Sequence, residues 1–200
     1  MDKYIKHNFY DWQNKEGRKL ELFVDFETTC PVFNDMEDLP LNTGKGNIFL
    51  IGAGYIDPKS DEWIFHKFIV NSITDKEEER ICNEFVDFVK SLKKYEKHIV
   101  CFHWGHHEKS TWTKVSKKEI EWIDLLKVFK LEPIGIKGVL NYGLKNIAKT
   151  FYKSGFIKTT WNNDSTTSDG ADAAVMSYKI NLECEKMKIS FIEHPLTLDI

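Results

Sequence analysis

The chain has 200 residues and a formal net charge of −3, long enough to bury a core as one domain and too acidic overall to coat nucleic acid by bulk charge. Charged residues at 30% and aromatics at 14% exclude a disordered chain, and no apolar run is long or charge-free enough to span a bilayer. Cys30, Cys82, Cys101 and Cys184 are widely spaced without a Cys-x-x-Cys pair, and Met1-Asp2-Lys3 opens no targeting segment, so the expectation is a soluble protein in a reducing, intracellular setting.

The first predicted element is a central strand in "LELFVDFETT" (20–29), an apolar run rich in β-formers that stops before Pro31. Two further strands follow in "NIFLIGAGYID" (47–57) and "EWIFHKFIV" (62–70), joined by the turn "DPKSD", which gives a three-strand meander. Thr74 is placed to cap a helix in which acids fill the first turn and Ile81, Phe85, Phe88, Val89 and Leu92 recur at helical spacing. "HIVCFHWG" (98–105) returns to strand character, and a short helical stretch in "EKSTWTKVSK" precedes another apolar segment, "EWIDLLKVFK" (121–130). Helices are predicted over 142–155, stopped by Gly155, and over 170–188, with a polar loop between them. The segment "CPVFNDMEDLPLNTGKGN" is long for a hairpin connection and reads as a lid or a local insertion. The element order predicts an α/β fold, a mixed sheet flanked by helices.

Asp25 and Glu27 are two apart on the first strand, so their side chains share one face. Two like charges held together in a sheet cost on the order of several kcal/mol unless something compensates. A bound Mg²⁺ or Mn²⁺ would, since both prefer hard oxygen ligands, and two such ions roughly 3.5 to 4 Å apart stabilise the entering and leaving oxygens of a phosphoryl displacement. The plain alternative is a chance Asp-x-Glu with one carboxylate solvated at the strand's end. Glu108 adds a third carboxylate just past another predicted strand, at the start of a helical stretch, where α/β sites collect ligands. His103, His106, His107 and Cys101 form a competing zinc candidate, although no second ligand cluster accompanies them. His103 and His107 otherwise line a phosphate or substrate cleft, or are ordinary turn residues.

The ordered segments "FVDFETT", "FHWGHHE", "WIDLLKVF", "GLKNIA" and "SDGADAAVMSY" resemble the DEDD exonuclease superfamily over roughly residues 20 to 190. Within it the chain is most similar to ribonuclease H-like nuclease domains found beside or fused to RecB-type nucleases and helicases. The resemblance implies a ribonuclease H-like sheet, an antiparallel three-strand meander plus parallel strands, flanked by helices. It also implies residues 1–19 as an N-terminal extension and 20–200 as the nuclease domain. Its implied metal ligands are Asp25, Glu27 and Glu108, the last standing where the wider superfamily has Asp. Asp124 corresponds to a structural motif, and "GLKNIA" to a helix packed on the catalytic sheet. The implied function is hydrolysis of DNA or RNA by a 3′-to-5′ exonuclease using two Mg²⁺ or Mn²⁺ ions. Implied partners are a nucleic-acid substrate and a fused or associated helicase or nuclease domain, with no membrane.

The superfamily's last motif places a fourth acid on a C-terminal helix, with a Tyr or His four or five residues before it. Tyr178 is followed four on by Leu182, so no Tyr-x-x-x-Asp occurs there. His194 and Asp199 have the His-x-x-x-x-Asp spacing of one branch, but Pro195 lets a helix only begin there, one turn from the last residue. Two readings stay open: His194 and Asp199 are the motif, or the chain stops short of it, the reading we favour. The alternative function is a non-catalytic nucleic-acid-binding or scaffold module of the same fold. Its basic face would be the lysines at 137, 145, 149, 153 and 158, with Tyr152 and Trp161 as stacking surfaces.

Overall fold

Residues 19–29, 46–95, 98–131, 134–160 and 170–195 are described by a computed structural model. Most of the expected N-terminal extension and of the long segment after the first strand, together with Trp161 and Asp199, lies outside the described residues.

Five strands form one sheet: β1 (Lys19–Thr28), β2 (Ile48–Ile56), β3 (Trp63–Ile69), β4 (His98–His103) and β5 (Trp122–Asp124), in the order β3-β2-β1-β4-β5. The first three pair antiparallel, as the meander predicts, whereas β4 and β5 join parallel after helical crossovers. The strand with the two carboxylates is therefore central, paired on both edges, as its apolar run predicts. Its alternation is strict: Leu20, Leu22, Val24 and Phe26 are buried on one face, while Glu21, Phe23, Asp25 and Glu27 point to the other.

The buried face is covered by α1 (Asp75–Leu92) and α2 (His107–Val115). Thr74 caps α1 by accepting a hydrogen bond from the Glu77 backbone N–H at 3.3 Å, as expected. The Phe85 ring on α1 packs edge-on against Phe26 and Trp112, and its full burial contributes about 2 to 3 kcal/mol. Buried Glu78 on the same helix is structural: its carboxylate accepts the Ile48 backbone N–H at 2.7 Å and the Asn47 amide at 3.1 Å, fixing the start of β2.

The segment read as one apolar element over 121–130 divides into β5 and α3 (Leu125–Leu131), and Asp124 causes the break. Its Oδ1 accepts the Leu126 backbone N–H at 3.0 Å, turning the chain into a helix, and the Gly105 N–H at 2.9 Å, tying that turn to the end of β4. The helix α4 (Leu144–Lys153) ends before Gly155, whose φ of +74° is the left-handed conformation a glycine adopts at little cost. The last long helix, α5 (Gly170–Met187), packs along β1. A 3-10 turn (Phe191–Glu193) then returns to the sheet, with the Phe191 N–H donating to the Asn71 carbonyl at 2.8 Å and its ring against Phe49.

Candidate active site

The C-terminal half of β1 delivers Asp25 and Glu27 to the face opposite α1 and α2. Opposite Asp25 on β2 stands Gly52, so no side chain from that strand neutralises it. The Asp25 side chain keeps solvent contact, yet the protein crowded around its carboxyl excludes enough water to raise its pKa above the ordinary aspartate value. Desolvation is the largest cause and the Glu108 charge the second, while the Phe26 backbone N–H, His107 and Lys145 pull the other way. Half-buried Glu27 is pushed up to about 7, first by desolvation and then by Asp25, against the opposing charge of Lys145. The two carboxylates therefore repel each other, and Glu27 keeps a proton to a higher pH than an ordinary glutamate.

Glu108 enters from the first turn of α2, just past β4, at the position expected for it. It is buried, and its charge acts on both Asp25 and Glu27, so all three carboxylates belong to one electrostatic cluster. Its Oε2 lies 3.1 Å from His103 Nδ1, which donates to the carboxylate in the tautomer that carries its proton there. His103 is accordingly a buried positioning group on the α1 side of the sheet, its ring edge-on to Trp122, and not the cleft-lining residue expected as one alternative. His107 is different: its ring lies 3.3 Å from Thr28 Oγ1, next to the acids.

Sequence reasoning noticed Lys145 only as one of a lysine series and did not connect it to Asp25 and Glu27. Its placement depends on a tether with no local signature. The Trp104 indole N–H donates to the Tyr142 carbonyl at 2.8 Å, and the Tyr142 hydroxyl to the Ile134 carbonyl at 2.7 Å. These bonds hold the start of α4 against the end of β4.

Among the described residues no three His, Cys, Asp or Glu side chains are gathered as a metal-holding group. For the zinc alternative, desolvation raises the Cys101 thiol, the reverse of a metal-ready thiolate, and His103 is committed to Glu108. For a hard divalent cation the donor chemistry does fit. Asp25 and Glu27 are hard oxygen donors on one strand face, partly desolvated and under the further negative charge of Glu108, an environment that a divalent cation would relieve. His194, half of the alternative last motif, is buried with its Nε2 2.9 Å from Glu183 Oε2 on α5; Asp199 lies outside the described residues.

A family model described as the RNase H superfamily matches residues 32–176, well over half of the chain. The matched span contains Glu108 but begins after Asp25 and Glu27, which are joined to it through the pairing of β1 with β2 and β4. No curated protein and no solved structure matches the chain.

Proposed function

The chain belongs to the RNase H superfamily, and from that premise we propose that it is a metal-dependent nuclease of the DEDD type, releasing nucleotides from the 3′ end of DNA or RNA. Proteins of this superfamily generally hydrolyse nucleic acids with the help of divalent metals, and the mixed five-stranded sheet is consistent with an RNase H-like fold. The observation that carries the reading is the pair Asp25 and Glu27 on one face of a central strand, both held above the ordinary carboxylate range by desolvation first, then by the Glu108 charge at Asp25 and by the Asp25 and Glu108 charges at Glu27.

In this proposal Asp25 and Glu27 are the principal ligands of Mg²⁺ or Mn²⁺, and Glu108 completes the acidic set. Bound divalent ions supply charge stabilisation for the oxygens entering and leaving phosphorus. Glu27 must give up its proton before it can serve as a ligand, so binding strengthens with pH. Buried His103 holds Glu108 in one orientation. Lys145 balances part of the acidic charge and offers a cation to a phosphate approaching the pair.

The test is release of mononucleotides from a 3′-labelled single strand in Mn²⁺, comparing the wild type with Asp25→Asn. The proposal expects release that needs metal and is lost in the variant; equal rates would remove it. One observation favours a second reading, a binding module without catalysis: Glu108 is held by His103, and the described residues gather no three-donor group. That reading predicts nucleic-acid binding that persists in EDTA with no cleavage under any metal.

A further inference from the structure

The face of the sheet that presents Asp25 and Glu27 also carries aromatic rings that metal chemistry does not use. Across the strands, Phe23 on β1 stands opposite Gly54 on β2, and Gly54 opposite Phe65 on β3; in the next row Asp25 stands opposite Gly52, and Gly52 opposite Lys67. The two glycines leave the middle strand bare, and rings from β3 occupy the space above it. A Cβ on Gly54 would overlap the Trp63 ring, and one on Gly52 would come within 3.2 Å of Phe65 Cζ. Phe23 extends the surface, its ring centroid 6.0 Å from that of Trp63 and 5.6 Å from that of buried Phe102.

These rings stay open to solvent: Phe23 is 40% exposed, Trp63 55% and Phe65 52%. Single exposed apolar residues are ordinary, but a contiguous patch of rings marks a surface that meets something. Here the patch runs into the acidic pair.

Resting on the nuclease reading of Asp25 and Glu27, we propose that Phe23, Trp63 and Phe65 form a base-stacking floor that holds single-stranded nucleic acid beside the carboxylates. Every nucleobase has a flat face, so stacking on such rings tolerates any sequence. A duplex keeps its base faces stacked on one another and has none to offer, which selects the single strand. Lys67, exposed in the same row as Asp25, and Lys145 beside the pair give cations to the phosphates that accompany stacked bases. A protein partner fits less well, because covering the rings would also desolvate the adjoining Asp25 and Glu27.

The experiment is fluorescence anisotropy of a short fluorescein-labelled oligothymidylate with the full chain in EDTA, where binding is read without cleavage. Trp63→Ala and Phe65→Ala are each expected to weaken binding about 5- to 100-fold, and Trp63→Phe to restore most of it, since a ring returns. Because the readout is independent of hydrolysis, absence of cleavage would leave this proposal standing, and its failure would leave the nuclease reading standing. Oligothymidylate affinity unchanged in both alanine variants would overturn it. So would a wild-type dimer, seen by sedimentation, that the same variants dissociate without altering affinity for the oligonucleotide.

Discussion

His103 Nδ1 lies 3.1 Å from Glu108 Oε2, and both side chains are buried. The pair joins the end of β4 to the first turn of α2, so one hydrogen bond fixes a fold junction and holds the Glu108 carboxylate, whose charge reaches Asp25 and Glu27. The two functions separate by mutation. His103→Ala leaves Glu108 buried without its donor, a loss of about 1 to 3 kcal/mol, or a fall of several degrees in Tm by calorimetry. Glu108→Gln keeps an oxygen for His103 to donate to, so its stability should fall less while its Mn²⁺ affinity falls more. The opposite order would show that Glu108 serves packing alone.

Asp25→Asn removes one of two mutually repelling charges. Without metal the variant should be at least as stable as the wild type, with Tm raised by roughly 2 to 4 °C if about 1 kcal/mol of repulsion is relieved. The Glu27 carboxyl should titrate lower once its neighbour is neutral, measurable by NMR of a labelled glutamate side chain. A clear loss of stability would mean that Asp25 is a structural anchor and not an uncompensated charge.

Proton linkage makes the same cluster visible through pH. Glu27 is raised from the ordinary 4.5 to about 7, so between those values the folded chain holds a proton that the unfolded chain has released. Stability from this group is therefore full below about pH 4.5 and is lost as pH rises through about 7. Tm measured in EDTA should decline across that window. Added Mg²⁺ or Mn²⁺ should restore it at about pH 8 and change little at about pH 5, where the proton competes for the site. A metal effect equal at both pH values would place the ion elsewhere.

Asp124 is a carboxylate near the site that should behave differently from the cluster. It caps α3 and holds the Gly105 N–H, and Asp124→Ala should lower stability by about 1 to 2 kcal/mol. Mn²⁺ affinity should survive in the folded fraction, because no charge of the cluster is removed. Loss of metal binding at unchanged stability would make Asp124 a ligand.

The strands, α1 and the common face of Asp25 and Glu27 were legible because period-two and helical spacing are local properties of the chain. Glu108 was legible as a position, a carboxylate following a strand, but its bond to His103 was not, since the histidine cluster read equally well as a cleft or a turn. The division of 121–130 into β5 and α3 turns on one side chain, Asp124, inside an otherwise continuous apolar run. Lys145 could not be connected with the acids from sequence, because its position comes from Trp104 holding the Tyr142 carbonyl across the fold. The aromatic floor also escaped notice: Phe23, Trp63 and Phe65 lie on separate segments, and only the strand register brings them together over Gly52 and Gly54.

The central claim is that Asp25 and Glu27 hold a divalent ion, and Mn²⁺ titration followed by electron paramagnetic resonance tests it most directly. Free Mn²⁺ signal should be lost on binding to the wild type at about pH 8 and retained with Asp25→Asn and with Glu27→Gln at the same protein concentration. Binding by both variants equal to that of the wild type would contradict the account.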